Sequence, residues 1–475
     1  MPNKKRDSRG YAQADYSLPK APDYVIAELR YDSGIAVTRA DGFRAAEASM
    51  PDAARLNDVL AGFDIQRIAP HFGVAQRVLA DRANAITAAR AAVSSEYVEG
   101  GFVQIVPKKS KDAPALARRL AKSESVWTAY VAPRPEPATV ATGTSTGSRN
   151  FEPAQGYLHS APNGIGAMHV WGARGGTGRG VTVCDIEGNW NFRHEDLPRG
   201  IALLGGQLIN SIDWRNHGTA VLGEIVSRSQ LFGTVGIARD ARAVVHSTVI
   251  NGVFNTAGAI AGAAAKLQKG DVILIELQAT GPNGKYVAMQ YWPDIFAAIV
   301  AATKRGITVV EAAGNGDENF NLPVFNGTGL QKDSGAIVVG AGVPPTNFFD
   351  IDRAYGYIGV PRSRIWFSNY GKIVNVHGWG WHVTTCGYGD AQGGRNENNW
   401  YTIRFSGTSS ASPIVTGAAA VLQGIAKAQN GAPLTPARVR QILIKTGTPQ
   451  VPGPGVPLSQ HIGPLPNLQK AIGLV

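Results

Sequence analysis

The chain has 475 residues, about three times a typical domain of roughly 150, so two or three domains and a sizeable core are expected. Apolar residues make up 44% and charged residues 17%, which excludes disorder along the whole length, while 57 glycines and 28 prolines call for many loops rather than a helical bundle. The net charge of +11 raises the question of an anionic partner, but the basic residues cluster at Lys4, Lys5 and Arg6 and at Lys108, Lys109, Lys111, Arg118, Arg119 and Lys122, without the interleaved aromatics of a nucleic-acid platform.

A solvated basic face is therefore expected, with neither nucleic acid nor membrane as partner. Cys184 and Cys386 are the two cysteines, too few for a disulfide framework or a four-cysteine zinc site. The first twenty residues are basic but have no apolar core behind them, and no apolar run approaches the ~20 residues that span a bilayer. A cytoplasmic protein is the expectation, with leaderless export left open.

Residues 1–22 read as a polar, basic tail. From residue 23 the pattern changes. Segments 24–30 and 64–70 read as strands, and 52–63 and 74–93 carry helical apolar spacing. Segments 101–107, 113–122 and 126–133 then read strand, helix, strand. A small α+β domain over 23–132 follows. Residues 133–160 form a linker, whose first part, 133–150, is rich in Pro, Thr, Ser and Gly and exposed to proteolysis.

The domain over 161–475 alternates continuous apolar runs (181–186, 243–250, 272–277, 307–312 and 336–341) with helical stretches at 219–227, 257–268 and 293–306. Strands apolar on both faces, each followed by a helix, predict an α/β fold: a doubly wound, mostly parallel sheet covered on both sides, with reactive groups at the carboxyl ends of its strands. Near the end, Thr435 caps a helix with Pro436 at its first position.

Four short segments carry chemistry. The run Val181–Asp185 closes on a carboxylate that could orient a histidine, or is an ordinary polar strand end. Asn216-His217-Gly218-Thr219-Ala220 leads into a small-residue helix, where Gly218 leaves room for close backbone approach beside the imidazole. The strand from Thr308 breaks at Gly314-Asn315-Gly316, either a turn or a place for an amide to donate to an anionic oxygen. In Phe405–Pro413, Ser409 stands at a helix amino terminus, its hydroxyl exposed and its own N–H aimed at any oxyanion that forms.

Gly407-Thr408-Ser409-Ser410-Ala411-Ser412-Pro413, supported by Asn-His-Gly-Thr, Ala-Ala-Gly-Asn, Trp171 and the Gly178–Val181 lead-in, resembles the subtilisin-like serine peptidases from Gly164 to the carboxyl terminus. The resemblance implies a serine endopeptidase with Ser409 as nucleophile, His217 as general base, Asp185 as orienting carboxylate and Asn315 as oxyanion donor. It implies substrate-binding roles for Glu276, Leu277, Gln278, Ala313 and Gly314, with protein or peptide as substrate. Glu276 and Gln278 replace small residues of the family, which predicts a narrowed primary pocket and a taste for basic side chains. Two departures touch the support of the acid and base: Ile186-Glu187-Gly188 follows the Asp, and Ala220 stands where a second histidine is usual.

The amino-terminal domain resembles the family's ferredoxin-like inhibitory prodomains through residues 101–107 and 126–133. This implies a self-inhibited zymogen whose linker enters the cleft. No cofactor is required for such chemistry. Structural calcium could sit at Gly316–Asn319 or Asp350–Asp352, both also readable as solvated acidic turns. Two further readings stay open: a cysteine hydrolase using Cys386 and His382, and a catalytically weak member kept as a peptide-binding or scaffold module.

Overall fold

The computed structural model describes residues 22–30, 35–38, 42–45, 50–71, 101–136, 148–228, 231–345 and 359–475. The tail, the helix expected over 74–93, most of the expected linker segment 133–150 and the acidic loop at Asp350–Asp352 lie wholly or largely outside these residues.

The amino-terminal domain is built from β1 (Val25–Leu29), β2 (Ile35–Thr38), β3 (Gly42–Ala45), β4 (Ile65–Pro70), β5 (Phe102–Pro107) and β6 (Val126–Val131), with helices at Met50–Ala61 and Ala113–Leu120. β2 and β3 form a hairpin; the other four make an antiparallel sheet in the order β4-β5-β1-β6. This order arises from two strand–helix–strand units, as expected for a ferredoxin-like α+β domain. Period-two alternation divides the sheet. Val25, Ala27, Val103 and Ile105 face the two helices, while Tyr24, Ile26, Phe102 and Val106 face the larger domain.

The larger domain contains β7 (Thr182–Glu187), β8 (Ala202–Gly205), β9 (Arg242–Ser247), β10 (Val249–Ile250), β11 (Val253–Phe254), β12 (Val272–Ile275), β13 (Gln278–Thr280), β14 (Tyr286–Ala288), β15 (Thr308–Ala312), β16 (Ile337–Gly342), β17 (Val376–Trp379), β18 (Val383–Cys386) and β19 (Tyr401–Phe405). Seven strands form one parallel sheet in the order β17-β16-β15-β12-β7-β9-β8.

Its central strands are apolar on both faces because both are covered. Val183, Leu274 and Val310 pack under the helices Ile212–Val226 and Thr408–Asn430; Cys184, Ile273 and Val309 pack under Thr256–Ala264 and Pro293–Lys304. Residues two apart on a strand share a face, so Asp185 and Glu187 follow Val183 toward the first helix pair.

The amino-terminal sheet docks at the starts of the other pair. Asp294, in the first turn of Pro293–Lys304, meets His71 Nε2 at 2.7 Å and accepts from the Tyr130 hydroxyl at 2.6 Å. Asn255, capping Thr256–Ala264, donates to the His71 carbonyl at 2.8 Å. Val253 and Ala297 complete the apolar contact with Tyr24, Ile26 and Phe102.

Candidate active site

Three elements bring polar side chains to the carboxyl rim of the sheet. β7 supplies Asp185 and Glu187, the helix Ile212–Val226 supplies His217, and the helix Thr408–Asn430 supplies Ser409. The His217 helix is capped by Ser211 and lies close against the chain after β7: a Cβ on Gly218 would come within 2.4 Å of the Asn189 carbonyl and 2.6 Å of the Trp190 ring. Only glycine fits there, as the sequence predicts.

His217 is fully buried. Its Nδ1 meets Glu187 Oε1 at 2.8 Å, and its ring packs edge-on against Phe405, centroids 5.4 Å apart. This corrects the expectation for Asp185. Asp185 Oδ2 instead accepts from the Trp190 indole N–H at 2.8 Å, held there by the chain that returns after the strand. Both carboxylates share one face of β7, but Glu187 is one pleat nearer the rim and so reaches the imidazole. The sequence held a signal for this: of two acids on one face, the later one stands closer to the carboxyl end.

Burial is the largest influence on both partners, holding His217 down at about 4 and Glu187 well above the usual carboxylate range. Both directions reflect the cost of charge in a buried site, and the 2.8 Å contact fixes the imidazole through Nδ1. Asp185 is also pushed up, first by burial and then by the neighbouring Glu187.

Ser409 is the second residue of its helix. Gly407 before it adopts φ +99°, and a Cβ there would come to 3.0 Å from Asn315 Nδ2, so this turn also requires glycine. Asn315 is fixed by Thr408, whose N–H and hydroxyl both donate to Asn315 Oδ1, at 2.8 and 3.0 Å. Its Nδ2 is left without a protein acceptor among the described residues. The Thr408 hydroxyl also accepts the Gly314 N–H, and Gln278 Oε1 accepts the Asn315 N–H at 2.8 Å. The roles of Thr408 and Gln278 in fixing Asn315 could not be read from the sequence, because they depend on three segments meeting in space.

Glu276 does not line an open pocket. It is 1% exposed, and its Oε2 lies 2.5 Å from the Ser412 hydroxyl, so it is not placed to receive a basic substrate side chain. Leu277 and Ala313 are buried in the core, and the Ala313 carbonyl accepts from Asn369. Gln278 offers its backbone outward: its carbonyl accepts the N–H of Glu136, which follows the amino-terminal domain. The Glu136 carboxylate in turn accepts from the Tyr286 hydroxyl at 2.5 Å.

Among the described residues His217 Nε2 has no hydrogen-bond partner. Beside the rim lies an open cleft of about 590 Å³ walled by Phe192, Trp400, Arg193, Arg215 and Arg395, with Asn191 held by the Thr219 hydroxyl.

Of the other expected groups, Cys386 is buried with its thiol pushed well up, which removes the activation a cysteine nucleophile needs. Asp317 is paired with Arg364 at 2.8 Å, and Glu318 accepts from Asn283. Among the described residues no cluster of three or more His, Cys, Asp or Glu is arranged to hold a metal ion, and no helix is long and apolar enough to cross a membrane.

Fold and site together define a doubly wound α/β protein with a carboxyl–imidazole pair and a helix-borne serine on one rim. The Subtilase family (Peptidase S8) matches residues 205–463. Subtilisin-like protease 2 of Trichophyton rubrum is 30% identical over 278 residues, 56% of this chain and 55% of that protein. Subtilisin DY of Bacillus licheniformis is 27% identical over 252 residues, 53% of this chain and 79% of that protein. The chain thus spans about half the length of the fungal relative. Fervidolysin of Fervidobacterium pennivorans shares the fold, with a TM-score of 0.52 at 16% identity over 95% of this chain and 61% of that one. The chain belongs to the subtilase family.

Proposed function

We propose that the chain is a serine endopeptidase in which Glu187, rather than Asp185, orients His217 as the base for Ser409. The observation that carries this reading is the buried 2.8 Å contact between His217 Nδ1 and Glu187 Oε1 on the rim that also bears Ser409. Fixing Nδ1 leaves Nε2 as the basic nitrogen. The Ser409 proton passes to Nε2 as Oγ attacks the peptide carbonyl, and Asn315 Nδ2 with the Ser409 N–H receives the oxyanion. His217 then returns the proton to the leaving amine, and water hydrolyses the acyl intermediate by the reverse proton path.

The amino-terminal domain acts as the intramolecular inhibitor in this proposal, with Glu136 seated on the Gln278 backbone at the cleft. In the nearby cleft Glu397 pairs with Arg215 at 2.9 Å, which leaves Arg193 and Arg395 to favour acidic over basic substrate side chains.

One observation favours the second reading, a peptide-binding or scaffold module: His217 Nε2 is not joined to Ser409. A fluorophosphonate probe separates the two. Stoichiometric labelling of the processed protein, lost in Ser409→Ala, is expected of the peptidase; a processed protein that never labels is the binder.

A further inference from the structure

The turn that carries Asn315 is gripped by an amide side chain that no step above uses. Asn369 lies between β16 and β17 and is fully buried. Its Nδ2 donates to the Ala313 carbonyl at 2.7 Å and to the Tyr286 carbonyl at 2.8 Å. Its Oδ1 accepts the Gly316 N–H at 3.0 Å and the Glu318 N–H at 2.8 Å. Its backbone N–H donates to the Gly314 carbonyl at 3.0 Å. Both donors and both acceptor positions of the amide are used, and carbonyls on one side with N–H groups on the other fix which way round it stands.

These bonds bracket Asn315. Ala313 and Gly314 precede it, Gly316 and Glu318 follow it, and Tyr286 belongs to β14, the partner of the β13 strand whose Gln278 accepts the Asn315 N–H. The packing is close. Gly314 has φ +92°, and a Cβ there would come to 2.8 Å from Asn369 Nδ2; one on Gly316 would come to 2.1 Å from the Tyr286 carbonyl. Thr408 thus holds the side-chain end of Asn315 from the Ser409 helix, while Asn369 holds the backbone on either side of it and ties that backbone to the hairpin at the cleft edge. An oxyanion donor acts only at hydrogen-bond distance from the forming charge, and a displacement of about 1 Å can cost on the order of 10²-fold in rate.

We propose that Asn369 is a positioning residue for the oxyanion site, which acts through Asn315 by holding the turn at its working distance from Ser409. This rests on the serine-peptidase reading above. Two consequences separate it from a residue that merely supports the fold. The effect of removing Asn369 on turnover is bounded by the effect of removing Asn315, and it falls on kcat rather than KM, because full negative charge reaches that oxygen only as the transition state forms. Aspartate cannot replace it: the shape and the two acceptor positions remain, but an oxygen then faces the Ala313 and Tyr286 carbonyls with no proton between.

The test is a double-mutant cycle on the processed protein, with kcat and KM for an amide substrate measured in the parent, Asn369→Ala, Asn315→Ala and the double variant. Asn315→Ala is expected to lose roughly 10²–10³ in kcat, the usual loss for one oxyanion donor. Asn369→Ala should lose roughly 10–10² with KM within a few-fold, yet no more than about twofold when residue 315 is already alanine. Asn369→Asp should resemble Asn369→Ala. The same factor in both backgrounds, a loss carried by KM, or an Asn369→Asp variant with the parent's kcat overturns the proposal and leaves the peptidase intact. Hydrogen exchange in the parent full chain needs no variant to fold: the Gly316 and Glu318 amides should exchange far more slowly than exposed ones, and exchange at the exposed rate overturns the proposal. A processed parent that neither cleaves peptides nor takes the fluorophosphonate overturns the peptidase reading, and this proposal with it.

Discussion

Two acidic residues two positions apart divide the work of one strand end. Glu187 meets the imidazole and Asp185 meets the Trp190 indole, so their removal should have unequal consequences. Glu187→Gln keeps the shape but lets the wrong tautomer form, and kcat is expected to fall by roughly 10³–10⁴, as when a triad carboxylate becomes its amide. Asp185→Asn keeps an acceptor for Trp190, and kcat should stay within about tenfold. Steady-state peptidase assays on the two variants decide the point; equal losses would return the role to Asp185. In the proposed mechanism the histidine, the serine and the oxyanion asparagine are the members open to sequence reading, because each sits in a short run with its own glycine. The orienting acid is not, because a period of two puts 185 and 187 on the same face and only the returning loop, through Trp190, distinguishes them.

At the level of elements, the long apolar strands were readable because burial on both faces removes polar residues from them. The short pairs β13–β14 and β18–β19 were not, since strands such as Val383-Thr-Thr-Cys386 carry no alternation and are fixed by tertiary contacts. One acid breaks the apolar pattern of β15. Glu311 is buried, its Oε1 accepts the Gln290 N–H at 2.7 Å and its Oε2 has no partner among the described residues; burial raises it to about 8. A raised folded value means that its stabilisation is complete below its ordinary 4.5 and is lost as pH climbs through about 8. Glu311→Gln keeps the acceptor and removes the charge. Its thermal midpoint should exceed the parent's by an amount equivalent to roughly a few kcal/mol at alkaline pH and match it at acid pH, as scanning calorimetry would read.

On the scale of the whole molecule, the two domains meet through an apolar patch with an acid at its centre. Asp294→Ala removes the acceptor shared by Tyr130 and His71 in a buried contact, and should weaken docking by roughly 2–3 kcal/mol, seen as faster hydrogen exchange in β5 and β6 of the full chain. Glu28 adds a pH dependence. Burial first, and Asp294 second, raise it to about 7. Its contribution to docking is therefore fully present below about 4.5 and fades as pH rises through 7, so exchange at the interface should quicken on the alkaline side and lose that dependence in Glu28→Gln. That a separate α+β unit precedes the larger domain was visible in the strand–helix–strand rhythm. Its seat was not, because the helix-covered and docked faces of its sheet are equally apolar in sequence.

The bridge between Glu136 and Gln278 makes the occupant of the cleft edge part of the same polymer. A competitor bound in trans falls away when a solution is thinned, by mass action. A tethered one is present at an effective concentration on the order of millimolar, whatever the amount of protein. In the zymogen reading, thinning the solution would therefore leave silence unbroken, and only severing the tether would turn the seated segment into an ordinary, dissociable ligand.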